Sequence, residues 1–180
     1  MAAWTVINHT ELAAEDSGVS WDVTGIPTDG TYDHLYAVVS ARTVASVYVD
    51  QWGLRFNDDS AGNYSSTFFY AGTTTPTGGR GSAQNGVQFL YGAAGASAGA
   101  NIFGMMTFWV PHYANSANDK SVISRWGTSN NSATDNQWFM GTTAGLWQDT
   151  SAIDQITVYD VSGDDFTEYS TFTLYGVTGA

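Results

Sequence analysis

Glu and Lys, two of the strong helix formers, occur only four times in this chain, at Glu11, Glu15, Glu168 and Lys120. Helix signals are correspondingly scarce. The apolar residues fall instead in short runs rich in Val, Ile, Thr, Tyr, Trp and Phe, which suit a pleated, half-buried surface. Gly, Asn, Asp and Ser punctuate these runs. The runs predict strands over 4–8, 19–24, 34–42, 47–57, 63–70, 102–113, 121–126, 137–140, 153–160 and 171–177. Gly53, inside the fourth run, predicts a bulge near 51–53. Residues 10–17 (TELAAEDS) are the best place for a helical turn, with a loop as the alternative. Nine or ten strands at the spacing of about 8–12 residues typical of sandwiches predict one all-β domain over 1–180. We expect an antiparallel, jelly-roll-like β-sandwich with little helix. No internal repeat supports a propeller or solenoid.

Two Gly-rich stretches interrupt the pattern. Residues 72–86 (GTTTPTGGRGSAQNG) read as the longest loop, and 92–101 (GAAGASAGAN) as a second flexible connection. In the last strand, Phe172 and Leu174 have opposite parity to Thr171, Thr173, Tyr175 and Val177. Apolar residues on both parities predict burial on one face and an interface on the other.

Charge narrows the function. Charged residues make up 12% of the chain, and 17 acids face five bases, Arg42, Arg55, Arg80, Lys120 and Arg125, for a net charge of −12. Nucleic-acid binding relies on Lys and Arg neutralising phosphates, so no nucleic-acid partner is expected. The charge is even along the chain, and an acidic surface suits solubility and basic partners. No apolar run is long enough to predict a membrane span. The opening residues, Met1 to His9, lack the basic and apolar regions of a signal peptide, which suggests synthesis in a cytoplasm. With no cysteine, disulfides and thiolate metal sites are excluded.

Catalytic patterns are missing. There is no G-x-S-x-G elbow, and residues 78–81 (GGRG) lack the lysine of a phosphate-binding loop. His9, His34 and His112 show no metal-ligand spacing. Asn57, Asp58, Asp59 and Asn63 cluster oxygens but have no calcium-loop spacing. Asp58-Asp59 and Asp164-Asp165 read as turn residues whose side chains bond their own backbone. We therefore expect no catalytic residues, no metal and no cofactor. Of the seven tryptophans, Trp21 and Trp109 alternate with apolar neighbours and read as core. Trp52, Trp138 and Trp147 stand beside Gly, Gln or Asn and read as exposed interface or glycan-stacking candidates.

Two segments carry a resemblance. One is Leu54 to Ser65, LRFNDDSAGNYS. The other is Ile153 to Val158 followed, after a loop, by Tyr169 to Val177, YSTFTLYGV. Together they resemble the β-sandwich structural proteins of tailed-bacteriophage virions, in which a strand ends in an RFN-D-x-G-x-NY turn and a last strand closes in LYG plus an aliphatic residue. Trp4 to Ile7 and the Gly25-Ile26-Pro27 segment fit the same pattern. The corresponding residues are Arg55, Asn57, Asp59, Gly62, Asn63 and Tyr64, a structural turn motif in which Gly62 is expected to supply a positive φ. Asp58 departs from the group's more usual glycine, and so does the Tyr169-Ser170 step. The resemblance implies a virion protein. Such sandwiches serve as capsid decoration (cement) proteins, often homotrimers on the major capsid protein, or in tail and fibre parts. The short, single-domain chain favours decoration. A tail-tip module binding receptors or carbohydrate is the alternative, and a glycoside hydrolase or lyase on a jelly roll is a third reading.

Overall fold

The computed structural model describes residues 3–14, 20–72, 75–130 and 138–179, with the backbone alone at 89 and 90. Twelve strands are present among them: β1 (Ala3–Glu11), β2 (Ser20–Val23), β3 (His34–Ala41), β4 (Val49–Phe56), β5 (Tyr64–Ala71), β6 (Thr77–Gln84), β7 (Val87–Ala94), β8 (Gly104–Pro111), β9 (Lys120–Thr128), β10 (Phe139–Trp147), β11 (Ile156–Asp160) and β12 (Thr171–Thr178). No helix occurs among the described residues. Residues 10 and 11 of the expected helical turn extend β1, 12–14 are irregular, and 15–17 lie outside the described residues.

The strands form two antiparallel sheets. The larger has the order β1-β12-β3-β8-β9-β10-β5-β6 and the smaller β2-β11-β4-β7. Beyond β1, the chain alternates between them, visiting the small sheet at β2, β4, β7 and β11. Taken as β2-β11-β4-β7 facing β3-(β8-β9-β10)-β5-β6, this is a jelly-roll path in which a three-strand meander replaces one strand. The strands β1 and β12 widen the large sheet beyond β3. The inner faces meet in a core that includes Trp21, Trp52, Leu54, Phe56, Phe108, Trp126, Trp147, Val158, Phe166, Phe172 and Leu174. The bulge expected near 51–53 is present: the β4–β7 register shifts on both sides of Trp52.

Three strands depart from the sequence expectation: β6, β7 and β10, the last running to Trp147 where the expected strand ended at residue 140. Most of the described part of 72–86 is β6, paired with β5 from Tyr64↔Gln84 to Tyr70↔Thr77. Residues 92–94 end β7 rather than open a flexible loop. The small residues there answer to packing. A Cβ on Gly92 would lie 2.9 Å from the Met105 carbonyl oxygen, and one on Gly104 would lie 1.6 Å from the Gly92 oxygen. Side chains are absent where β7 of one sheet crosses beneath β8 of the other, and Thr128 Oγ1 donates to the Gly92 carbonyl there (2.8 Å).

The β4–β5 turn is the corner at which the chain passes from the small sheet to the large one. Asp59 N donates to Phe56 O (2.9 Å) across Asn57 and Asp58, whose φ values are +52° and +53°. Two successive positive φ angles are the mark of a type I′ turn, and Asn and Asp tolerate them best after Gly. The left-handed residues are therefore Asn57 and Asp58; Gly62 does not supply a positive φ. Tyr169, just before β12, is also left-handed, with φ +67°. Asn57 Oδ1 accepts from Asp154 N (3.0 Å) and Gln155 N (3.2 Å), while its Nδ2 donates to Ala152 O (2.8 Å), so the turn holds the approach to β11. Asp59 accepts from Ala61 N (2.8 Å), Asn63 Nδ2 (2.7 Å) and the Trp147 indole (2.7 Å). The Tyr64 hydroxyl accepts from Phe56 N (3.0 Å), and its ring stacks on Trp147 with 6.1 Å between centroids. Arg55 donates to Asn85 O (2.9 Å) and lies 4.4 Å over the Tyr159 ring.

Burial works to raise the Asp59 pKa, but the bonds from Trp147, Ala61 and Asn63 outweigh it and hold the carboxyl below its usual value. The stability it contributes is thus complete above the unfolded value near 3.8 and is lost as pH falls through the lower folded value. Asp59→Asn is expected to flatten the acid limb of a stability–pH curve measured by urea unfolding. In the same assay Trp147→Phe is expected to cost about 2–4 kcal/mol, combining a lost charge-assisted bond with a cavity. Asn57→Ala is expected to cost about 1 kcal/mol more than Asn57→Gly, because only glycine keeps the left-handed φ unstrained. Truncation after Gly163 removes β12, which pairs with both β1 and β3. The shortened chain is expected to lose its cooperative unfolding transition.

Candidate functional site

The outer face of the large sheet is poor in charge and mixes aromatic and aliphatic residues with threonine. The strand registers align cross-strand rows. One row runs Val6–Tyr175–Tyr36–Trp109–Ile123–Ala144–Thr67 across seven strands. Beside it lies Thr173–Val38–Thr107–Arg125–Thr142–Phe69, and then Ser40–Met105–Gly127–Met140. Trp4 (54% exposed), Val6, Val38, Phe69, Met105, Ile123 (46%) and Met140 (68%) are open to solvent. Apolar patches of this extent are uncommon on monomers and mark interaction sites.

At one end of the face four rings pack together. Trp4 meets Tyr36 edge-on (5.0 Å, 70°) and Tyr175 at 5.9 Å and 65°, while Trp109 is tilted to both Trp4 (6.3 Å) and Tyr36 (6.0 Å). These rings lean on one another instead of lying parallel. Two rows away, Met105, Arg125, Trp126, Gly127, Met140, Gly141 and Thr142 line an open groove of about 500 Å³.

Charge is segregated in space although it is even along the sequence. The eight strands of the large sheet carry one carboxylate, Glu11, whereas β2, β4 and β11 of the small sheet contribute Asp22, Asp50 and Asp160. Most remaining acids lie in connections. Arg125 is exposed at the centre of the large sheet's outer face. Depletion of charge with enrichment of aromatics and Met is the composition of interface cores.

The structure redistributes the sequence-predicted tryptophans. Trp52 is fully buried between the sheets, edge-on to Phe166 (6.2 Å), and Trp147 is 1% exposed at the corner. Neither can stack on a glycan or touch a partner. Their Gly and Gln neighbours reflect close packing and strand ends: a Cβ on Gly53 would meet the Tyr159 ring at 2.2 Å. Trp138 is half-buried just before β10. Trp21 is core, stacked on Phe172 at 5.3 Å, but Trp109 belongs to the outer row. The outer row is legible in β12 alone, where Tyr175 and Thr173 share the parity opposite to buried Phe172 and Leu174. In the other strands its residues interleave with core residues, and only the registers bring them into line.

The polar groups fall into local networks. His34 and His112 pack edge-on at 4.8 Å, with His112 N donating to His34 Nδ1 (3.1 Å); His9 bonds Thr173 Oγ1 (2.8 Å). Lys120 is buried, donating to the carbonyls of Asn118 (2.7 Å) and Thr150 (2.9 Å), and burial lowers its pKa. Asp50, Asp160 and Asp164 converge where β4 begins and β11 ends. Burial first, and the Asp50 charge second, push the Asp160 carboxyl up to about 7 against the bonds from Asp164 and Ser162.

The sequence matches no protein-family model and no curated protein. Solved structures with some likeness include a fructofuranosidase from Schwanniomyces occidentalis (TM-score 0.28, 4% identity, 99% of this chain and 33% of that one). A xylan β-1,4-xylosidase from Bacillus halodurans gives 0.28 and 9%, over 89% and 33% of the two chains. Infectious bursal disease virus, Gx strain, gives 0.15 and 14%, over 98% and 39%. This chain spans about a third of the two enzyme chains. Likenesses at these scores assign no function.

Proposed function

We propose that this protein is a non-catalytic virion component of a tailed bacteriophage, a decoration protein that docks the outer face of its eight-stranded sheet against the major capsid protein and stabilises the shell. The observation that carries the reading is the charge-poor, aromatic and aliphatic outer row from Val6 to Ile123. The resemblance of the β4–β5 turn and of the last strand to virion sandwich proteins gives the partner its class. Homotrimers around symmetry axes would multiply a modest contact into durable attachment.

The same rings raise the glycan-binding alternative, now at Trp4 and Trp109 rather than Trp52 and Trp147. Sugar sites pair an open ring face with polar groups that fix orientation. Here the rings lie edge-on or tilted to one another, and Glu11 is the one carboxylate on the sheet's strands. That composition favours a protein surface. A catalytic reading finds no support at Asp59, whose carboxylate is occupied by three donors at the corner.

Quantitative mass spectrometry and cryo-electron microscopy of particles carrying the protein test this. We expect hundreds of copies on the shell with the large sheet facing capsid subunits. Ile123→Glu and Met105→Lys are expected to weaken capsid association at least about 30-fold, as for central interface residues, with the unfolding midpoint little changed. A few copies at the tail, or glycan-array binding lost in Trp4→Ala, would replace decoration with receptor binding.

A further inference from the structure

Asp50 on β4, Asp160 at the end of β11 and Asp164 in the connection to β12 each place one carboxylate oxygen within 4.8 Å of the others. Asp160 is 4% exposed and Asp50 5%. Most of their oxygens are committed. Ser162 N (2.8 Å) and Asp164 N (3.0 Å) donate to Asp160 Oδ1, Thr43 Oγ1 (2.7 Å) to Asp50 Oδ2, and Gln51 N (2.8 Å) to Asp50 Oδ1. Asp160 Oδ2 is buried with no hydrogen-bond partner.

Among the described residues, no lysine or arginine forms an ion pair with these acids. Arg42 is engaged by the carbonyls of Ala96, Ala98, Gly99 and Ile102, Lys120 by those of Asn118 and Thr150, and Arg55 by Asn85 and the Tyr159 ring. Arg80 and Arg125 lie on the large sheet. Burying two carboxylates side by side without compensation is expensive, so the site calls for either a proton shared between them or a bound cation.

We propose that Asp50, Asp160 and Asp164 bind one hard divalent cation of the calcium class, with Asp160 Oδ2 as a central ligand. The donors are all oxygen, and calcium–oxygen distances of about 2.3–2.6 Å allow two ligands of one ion to lie up to about 5 Å apart. Magnesium demands near-ideal octahedral geometry and sheds its waters reluctantly, so a buried site of protein carboxylates suits the larger ion better. A cation here joins β4, β11 and the connection that leads into β12. That connection is already tied to the β3–β4 segment through Val44 N to Asp165 O (3.0 Å) and the Thr43–Phe166 bridge. The ion would therefore fasten both sheets at the end opposite the Asn57 corner of β11.

The test is calorimetric titration of the chelator-stripped full chain with calcium chloride, with thermal unfolding in chelator, calcium or magnesium. Calcium at 1 mM is expected to raise the midpoint by about 5 °C or more, with further rise at higher concentration and a smaller effect of magnesium. The shift is expected to vanish in Asp160→Asn and Asp164→Ala. Asp160→Asn keeps the shape of a protonated pair and supplies an N–H to Asp50, so it should fold in chelator at least as stably as the parent. Absence of binding heat and of any shift at 10 mM calcium would overturn the proposal in favour of the shared proton. A shift persisting in both variants would place the ion elsewhere, and a magnesium shift equal to or above that of calcium would refute the calcium class.

Discussion

The bond from the Trp147 indole to Asp59 holds the corner on which the sandwich depends. Trp147 ends β10 in the large sheet, and Asp59 closes the turn that leaves β4 in the small one. The same carboxylate binds Asn63, whose carbonyl accepts from Gln148 N (2.9 Å) just beyond Trp147. Around it, Phe56, Tyr64 and Trp147 fill the space between the sheets, and Asn57 carries the connection to β11. One turn thereby sets where four strands begin or end. Asn57, Asp59, Asn63 and Tyr64 each satisfy a group that the corner would otherwise bury unpaired.

Much of this fold was legible in the sequence, because period-two runs bounded by turn residues report a pleated, half-buried strand directly. The strands β3, β4, β8 and β12 lie close to their expected bounds. The failures at β6 and β7 share one cause. In β6 and β7, glycine and alanine stand where a ring or another strand comes too close for a side chain: a Cβ on Gly79 would meet the Phe68 ring at 2.7 Å, and one on Gly92 the Met105 carbonyl. Such residues look like loop punctuation until the packing partner is known. Trp52 and Trp147 were misplaced for the same reason, since small or polar neighbours near a bulge and a strand end resemble the surroundings of an exposed ring.

The candidate surface was hidden differently. Tyr36, Trp109, Ile123 and Tyr175 are far apart in the chain and become one row only through the strand registers. The acids, even along the chain, are sorted away from that row, so net charge misdescribes the face that matters. An acidic total suggested basic partner surfaces; the large sheet instead presents apolar groups with an arginine at their centre.

These two features bear on each other. A sheet with apolar residues on both faces could pack either side against the small sheet, and a one-residue slip exchanges them. The corner removes that ambiguity. Trp147 and Tyr64 enter the core by bonds that only the inner face can make, Asp59 on one and Phe56 N on the other, which leaves Leu146 and Ser65 on the opposite parity. Once β5 and β10 are oriented, registers through β9, β8, β3 and β12 orient the rest, and Trp109, Ile123 and Tyr175 must face outward. The polar chemistry of a single turn thus allows the outer face to carry apolar residues without competing for the core.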